Sequence, residues 1–375
     1  MTKTKNQEKN QTRKVKNKKW NIHKKIFFGL LLLVLVLVFL NVAKASGWLI
    51  PSQKQIEIKD GTIILDSLTL EQKVAQMVIV SGTQWNLEAW KKIGIGGIHL
   101  FAMKNEQLYQ NLISKYQDNA TIPFLVTADL EGCWNPFSYF RNFTALRDIS
   151  TEEEAYAAGK EEGKFLYRLG FTVDFSPVVD LKDEIWNCRS FLGEKEQVTT
   201  LAQAYINGLQ SQGIIATVKH YPGKTLVVRD PHKYIVSAEI ETNDIYPFTI
   251  LSKDKELKGV MVSHVISSGA VDSQGKPTVV SKKTLTELKS SFSGIIFSDE
   301  VNMLGLKDYY SSQDELYIAV FSAGNDIVIN FNEDPNEIYR MIQVVKEAVE
   351  EGKIPLEQID TSVKKILELK GFNVI

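Results

Sequence analysis

Short apolar runs that alternate with helical segments constrain the fold of this chain more than any other feature. Each run is about five residues long and rich in β-branched side chains, which is typical of strands buried on both faces. The segments between them show helical periodicity and start signals, such as the capping box that Thr69 and Gln72 predict. The predicted strands are Gln76–Val80, Gly97–Phe101, Pro123–Thr127, Phe171–Phe175, Ile214–Val218, Gly259–Ser263, Gly294–Ser298 and Asp326–Asn330. This alternation predicts an α/β fold, a (β/α)8 TIM-type barrel over residues 61–375; an open doubly wound sheet is the alternative.

The N-terminal part of the chain has a different composition. Residues 1–25 hold ten Lys or Arg and one acid, and are predicted to stay on the cytoplasmic side of a membrane. Residues 26–43 carry no charge and are near the shortest length for a transmembrane helix. A cleaved signal peptide is the alternative, because Ala-Lys-Ala at 43–45 fits a small-x-small cleavage site. Residues 44–60 are predicted to form a tether, and in both cases the folded domain is expected outside the cytoplasm, anchored in the cell membrane or secreted.

Charge and cysteine content exclude several classes of function. The chain has 44 Lys and Arg against 45 Asp and Glu, and without its basic first 25 residues it carries a net charge of −10. An acidic domain without a basic stripe argues against nucleic-acid binding. No metal-ligand spacing and no glycine-rich phosphate loop are present in the sequence, so no metal and no cofactor are predicted. Two cysteines are too few for a small fold held together by disulfides.

Polar residues follow several of the predicted strands, at the end where TIM barrels carry their active sites. Asp129 follows the third strand, and Arg189 lies in the loop after the fourth. Lys219 and His220 follow the fifth strand directly, and Asp299 follows the seventh. Carboxylates, two cations and histidines around one barrel mouth suit the binding of a polyhydroxylated ligand.

Two segments contain the residue types that glycosidic cleavage needs, a carboxylate on one face of the sugar and a proton donor at the leaving oxygen. Asp299 ends an otherwise apolar strand, so a rigidly held carboxylate is predicted there; an Asp that caps the next helix is the alternative. Asp230 and His232 lie two residues apart in the loop after the fifth strand, where the carboxylate can orient the imidazole for acid and base work. Taken alone, such a pair in a loop is weak evidence of chemistry.

The order of these segments resembles glycoside hydrolase family 3, specifically its β-N-acetylglucosaminidase (β-hexosaminidase) branch. KHYPG at 219–223 and DPH at 230–232 are similar to that branch's Lys-His-Phe-Pro-Gly-His-Gly and Asp-Ser-His. SDEVNM at 298–303 is similar to its nucleophile motif Ser-Asp-Asp-Leu-x-Met, and RSF at 189–191 to its Arg-Ser-Phe. The resemblance extends from about residue 64 to the end of the chain.

The resemblance implies a retaining exo-enzyme that hydrolyses terminal β-linked N-acetylglucosamine, with peptidoglycan fragments as the expected carbohydrate substrate. It implies that Asp299 is the nucleophile of a covalent glycosyl-enzyme and that His232 with Asp230 is the acid/base pair. A mobile loop is expected to bring His232 to the leaving oxygen only when substrate is bound. The residues implied to hold the sugar are Asp129, Arg189, Lys219 and His220.

The sequence departs from the family pattern in the loop after the third strand. The family's Asp-Gln-Glu-Gly-Gly-x-Val-x-Arg reads DLEGCWNPF at 129–137, so its arginine is missing, although Arg141 lies near. The aromatic residues that follow Asp129 form either a packed loop or a sugar-stacking platform. They are Trp134, Phe137, Tyr139, Phe140 and Phe143.

Three other functions remain open on the sequence. One is a different family 3 glycosidase, such as a β-glucosidase. Another is a phosphorylase, because a neutral histidine repels phosphate less than a carboxylate does. The third is a non-catalytic protein that binds cell-wall sugars.

The two cysteines give a separate hypothesis. Cys133 lies in the loop after the third strand, and Cys188 directly precedes Arg189. If both loops line the pocket, the two sulfurs come within disulfide range in an oxidising exterior. Two unrelated thiols are the alternative.

Overall fold

The computed structural model describes Trp20, residues 23–40, Gly47, and residues 50–226, 229–230 and 232–375. The chain divides into two compact units, Met1–Leu49 and Ile50–Ile375. Among the described residues, one helix, His23–Leu40, is long and apolar enough to cross a membrane, with a mean hydropathy of 2.3 over 18 residues. A signal sequence fits the same description, and the predicted cleavage site at 43–45 lies outside the described residues.

The second unit contains the predicted ring of eight parallel strands. The strands are β1 Val78–Ser81, β2 Gly97–His99, β3 Leu125–Ala128, β4 Val173–Asp174, β5 Ile215–Tyr221, β6 Gly259–Val262, β7 Ile295–Ser298 and β8 Val328–Ile329. Each strand from β1 to β6 pairs in parallel with the next, and β8 pairs with β1. A bridge between Phe297 and Ile327 joins β7 to the start of β8. The (β/α)8 barrel is therefore confirmed.

A helix follows each strand and covers the outside of the barrel. These helices are α1 Leu87–Ile93, α2 Glu106–Gln117, α3 Glu152–Leu169, α4 Lys195–Gln210, α5 Thr242–Leu251, α6 Lys282–Ser291, α7 Gln313–Ala323 and α8 Pro335–Glu350. Further helices are Leu70–Gln76, Leu304–Lys307 and Leu356–Leu369, with short 3-10 turns at Leu65–Ser67, Leu146–Asp148 and Thr278–Val280. The predicted capping box of Thr69 and Gln72 is present at the first of these helices.

Two small sheets lie outside the barrel. Ile58–Lys59 pairs with Thr62–Ile63, which pairs with the C-terminal strand Asn373–Val374. Ser237–Ile240, in the loop after β5, pairs with Ile266–Gly269 in the loop after β6. Residues 50–60 of the predicted tether belong to the second unit, because Ile50 is buried and Ile58–Lys59 joins this sheet.

The core has an inner and an outer layer. Strand residues are buried on both faces, because side chains alternate between the barrel interior and the surrounding helices. Inside the barrel, Phe175 and Phe297 pack edge to face with ring centroids 5.4 Å apart. Outside it, α3 and α4 approach so closely that a Cβ atom on Gly208 would lie 2.2 Å from the carbonyl oxygen of Tyr156. This packing fixes the strand ends that carry the polar residues.

Candidate active site

One pocket at the C-terminal ends of the strands is lined by most of the predicted site residues. These are Asp129 after β3, Arg189 in the loop after β4, Lys219 and His220 at the end of β5, His232 in the loop after β5, and Asp299 after β7. Asp230 hydrogen-bonds His232. The structure therefore brings together all seven residues that the sequence predicts.

A buried network of alternating charges joins the ends of β3, β4 and β5. Lys219 donates to Asp129 over 2.5 Å and also pairs with Glu131. Arg189 donates to both oxygens of Glu131, with its Nη2 2.8 Å from Oε1. Burial of Glu131 would raise its pKa, but the charges of Arg189 and Lys219 outweigh it and lower the pKa. Burial likewise opposes the charge on Lys219, but Asp129 and Glu131 raise the pKa of this amine. These ion pairs hold the charged side chains of Asp129, Glu131, Arg189 and Lys219 in fixed positions.

His220 is oriented by a carboxylate behind it. Its Nδ1 lies 2.9 Å from Oδ2 of Asp180, which is fully buried in the loop after β4. A carboxylate oxygen accepts, so the imidazole donates from Nδ1, and this contact fixes the orientation of the ring. On strand β2, burial lowers the pKa of His99 to about 4, so this ring is neutral at physiological pH.

Asp299 directly follows the last residue of β7. Its backbone N–H donates to the carbonyl of Val262 on β6, and its Oδ1 accepts the N–H of Glu300 over 2.8 Å. The next helix has Met303 at its N-cap, so Asp299 does not cap it. Burial would raise the pKa of Asp299, but neighbouring histidines and the Glu300 N–H together lower it. The carboxylate is ionised at neutral pH, as a nucleophile requires.

The Asp230–His232 pair has the geometry of an oriented imidazole. Oδ1 of Asp230 lies 2.8 Å from Nδ1 of His232 and 3.1 Å from its backbone nitrogen. Burial opposes ionisation of Asp230, but the contacts with His232 outweigh it and lower the pKa of this carboxyl group. The carbonyl of His232 accepts the N–H of Leu304, in the loop after β7, over 3.3 Å. His232 lines the same pocket as Asp299.

Two pocket residues, Glu131 and Glu300, are not among the predicted site residues, and neither is Asp180. Oε1 of Glu300 accepts the N–H groups of Asn302 and Phe331, which connects the loops after β7 and β8. Burial raises the pKa of Glu300. The available signal was position, because all three carboxylates lie within a few residues of a strand end.

The structure shows where the basic and aromatic residues of the loop after β3 lie. Arg141 pairs with Glu161 at 2.8 Å and lies over the ring of Phe165, so it does not replace the missing arginine of the family motif. The aromatic residues of this loop differ in burial. Phe137 is fully buried beside Phe165, whereas Trp134 is 49% exposed and lines the pocket.

The proposed pairing of the two cysteines is confirmed. Cys133 and Cys188 form a disulfide with their Cα atoms 5.9 Å apart. The bond joins the loops after β3 and β4 beside Trp134 and Arg189. It therefore links two sides of the pocket covalently.

Comparison with known proteins identifies the family. Residues 69–369 match the glycosyl hydrolase family 3 N-terminal domain. The chain belongs to glycoside hydrolase family 3. This family 3 enzyme is a glycoside hydrolase, and it is 25% identical over 334 residues to beta-hexosaminidase LpqI of Mycobacterium tuberculosis, covering 82% of this chain and 84% of LpqI. It is 29% identical over 306 residues to a beta-hexosaminidase of Actinobacillus succinogenes, covering 74% and 85%.

Solved structures support the same fold. The structure of M. tuberculosis LpqI superimposes with a TM-score of 0.76 at 22% identity, covering 86% of this chain and 99% of LpqI. A family 3 beta-N-acetylglucosaminidase from Paenibacillus gives a TM-score of 0.70 at 25% identity, with 81% of this chain and 62% of that chain covered. The family 3 barrel is thus common to all three proteins.

Proposed function

We propose that this family 3 enzyme is a retaining exo-β-N-acetylglucosaminidase. The observation that carries the proposal is the common pocket of Asp299 and His232, with the imidazole bound to Asp230. A paired histidine suits general acid and base catalysis near neutral pH. The names of the relatives, beta-hexosaminidase and beta-N-acetylglucosaminidase, support the choice of sugar.

In the first step, the Asp299 carboxylate attacks the anomeric carbon and the glycosidic bond breaks. His232 donates its Nε2 proton to the leaving oxygen, because its Nδ1 is engaged by Asp230. The product is a covalent glycosyl-enzyme ester. The Glu300 N–H bound to Asp299 holds the attacking carboxylate in one orientation.

In the second step, the neutral His232 removes a proton from water, which attacks the anomeric carbon from the side the leaving group vacated. The ester bond to Asp299 breaks and its carboxylate is regenerated. Two inversions give net retention of configuration. Asp230 stabilises the imidazolium that forms as His232 takes the proton.

The charged network is proposed to hold the sugar in this orientation. Asp129 and Lys219 present an acceptor and a donor at the ends of β3 and β5, and Arg189 presents a second donor group. Since these charges are paired with one another, a neutral sugar enters without leaving an isolated charge buried. His220, whose imidazole is oriented by Asp180, lines the same pocket and is proposed to contact the sugar as well.

We further propose that the enzyme acts outside the cytoplasm, anchored by His23–Leu40, on peptidoglycan fragments. The apolar helix and the Cys133–Cys188 disulfide support this location, because structural disulfides persist in oxidising compartments. The substrate rests on the resemblance to β-hexosaminidases and on this location.

The full-length protein in detergent should hydrolyse 4-nitrophenyl N-acetyl-β-glucosaminide faster than the matching glucoside and xyloside. Asp299→Ala should lower kcat/KM by at least about a thousandfold, because it removes the carboxylate that is proposed to form the ester. His232→Ala should slow turnover by roughly a hundredfold or more. With the activated nitrophenyl leaving group, we expect the loss mainly in the second step, so a burst of nitrophenol should precede slow turnover.

Asp308→Ala is the matched control for Asp299→Ala. Asp308 is an exposed aspartate nine residues farther along the chain, and its replacement should leave the rate unchanged. Full activity of Asp299→Ala on the nitrophenyl substrate would rule out the proposed nucleophile. Absence of turnover by the unaltered protein on all three substrates would favour a sugar-binding protein.

A phosphorylase is the second candidate, and the same Asp230–His232 pair favours it. A neutral imidazole in place of a carboxylate acid/base lets a phosphate dianion approach the anomeric carbon. Adding phosphate should leave the product as free N-acetylglucosamine if the enzyme is a hydrolase. Formation of the 1-phosphate at a rate that rises with phosphate concentration would identify a phosphorylase.

A further inference from the structure

Two tryptophans form an aromatic wall beside the pocket. Trp134 follows β3, and Trp186 lies in the loop after β4, with ring centroids 6.1 Å apart and an interplanar angle of 77°. Trp134 lines the pocket and leaves 49% of its surface exposed, whereas Trp186 is only partly exposed. An exposed indole at the rim of a carbohydrate pocket is an available binding surface.

The wall stands on the side of the proposed acid/base residue. The Trp186 ring meets the His232 ring edge to face, with centroids 5.9 Å apart. The Arg189 guanidinium lies 4.7 Å from the Trp186 ring and 5.9 Å from the Trp134 ring. Because His232 delivers its proton to the leaving oxygen, the group bonded to that oxygen must pass next to this wall.

Covalent and hydrogen-bonded contacts hold the wall in place before substrate arrives. The disulfide joins Cys133, the neighbour of Trp134, to Cys188, two residues beyond Trp186. Asp183 accepts the backbone N–H groups of Trp186 and Cys188 over 2.9 and 3.0 Å. A surface fixed in this way loses little conformational entropy when a ligand binds.

We propose that Trp134, supported by Trp186, forms a subsite that binds a second pyranose ring on the leaving-group side. The inference rests on the proposed function and assigns the side chains that bind the leaving group of its substrate. The apolar C–H face of a pyranose complements an indole surface, and the Arg189 charge beside it is already neutralised by Glu131. The paired charge makes a neutral or weakly polar ring the appropriate occupant.

The test compares two substrates that share the N-acetylglucosaminyl group and differ in the leaving group. These are N,N′-diacetylchitobiose, whose leaving group is a pyranose, and N-acetyl-β-glucosaminyl fluoride, whose leaving group is one atom. The measured quantity is the ratio of kcat/KM for the disaccharide to kcat/KM for the fluoride, with full-length protein in detergent. Trp134→Ala should lower this ratio by roughly tenfold, chiefly through a higher KM for the disaccharide.

Two further variants make the result specific. Trp134→Phe keeps an aromatic face, so its kcat/KM ratio should be close to that of the unaltered protein. This variant also tests the subsite if the alanine variant does not fold. Trp85→Ala is the matched control, because Trp85 is 90% exposed in the loop after β1. Its replacement should leave the ratio unchanged.

The outcomes separate the subsite from the proposed function. If Trp134→Ala and Trp134→Phe both leave the ratio as in the unaltered protein, the subsite is wrong while the glycosidase remains. If the unaltered protein cleaves neither substrate, the proposed function fails.

Discussion

Removal of the Cys133–Cys188 disulfide tests how much this bond contributes to stability. The two cysteines are 55 residues apart in the sequence. Restricting a loop of that length in the unfolded chain stabilises the folded state by about 4 kcal/mol in the loop-entropy treatment. For a domain of this size, that free energy corresponds to a fall in Tm of roughly 6 °C. We therefore expect the double variant Cys133→Ala/Cys188→Ala to unfold about 6 °C below the unaltered protein.

The same variant should also weaken substrate binding. The bond flanks Trp134 and Arg189, so its loss releases one side of the proposed sugar site from the other. Asp299 and His220 depend on strands β7 and β5, which the disulfide does not touch, and His232 keeps its contacts with Asp230 and Leu304. KM for the disaccharide should consequently rise more than kcat falls.

Thermal unfolding followed by circular dichroism measures the first effect, with and without dithiothreitol. Reductant should lower the Tm of the unaltered protein to that of the double variant and should leave the double variant unchanged. Intact-mass analysis after alkylation provides the direct check on the bond. Two alkylated cysteines without prior reduction, or equal Tm values for the two proteins, would refute the reasoning.

Three other changes probe the packing and the charges. Burial raises the pKa of Glu162 to about 8, so the stability that its protonated form contributes is fully present below about pH 4.5 and is lost as the pH rises to 8. Glu162→Gln should remove this pH dependence of the free energy of unfolding. At pH 7 the variant should be more stable than the unaltered protein by about 3 kcal/mol. Glu131→Gln should cost about 3 kcal/mol in denaturant unfolding at pH 7, because it leaves Arg189 without its buried carboxylate. Since the pKa of Glu131 is lowered, the difference between the two proteins should shrink as the pH falls below about 4.5. Gly208→Ala should lower stability by about 2 kcal/mol by forcing α3 and α4 apart, whereas the adjacent exposed change Asn207→Ala should have little effect.

The barrel could be predicted from sequence because each strand is buried on both faces and therefore reads as an apolar run. The predicted ends of the strands were less accurate. The fifth strand was predicted to stop at Val218 but continues through Lys219 and His220 to Tyr221. A prediction from hydropathy stops a strand at the first charged residue. Here Lys219 and His220 remain in the strand because Asp129 and Asp180, from neighbouring loops, pair with them. Those partners become neighbours only in the folded barrel.

The same limit explains which site residues were missed. Asp129, Lys219 and Asp299 were visible because they adjoin strand ends. Glu131 depends on a turn at Gly132, whose φ of +67° redirects the loop, and no sequence pattern reports the resulting contact with Arg189. Trp186 gave no signal at all, since it approaches the pocket only through the loop that Asp183 and the disulfide hold.

The position of His232 depends on contacts between loops and not on the barrel itself. Its imidazole is bound to Asp230 in its own loop and packs on Trp186 after β4, while its carbonyl accepts the N–H of Leu304 after β7. Displacing His232 from Asp299 therefore requires no change in the strands. Since Trp186 also supports the proposed leaving-group subsite, a sugar bound there would contact the same surface that holds the imidazole. In the proposed mechanism, binding of the leaving group and positioning of His232 are therefore coupled through the side chain of Trp186, so a disaccharide that fills the proposed subsite should place the imidazole correctly.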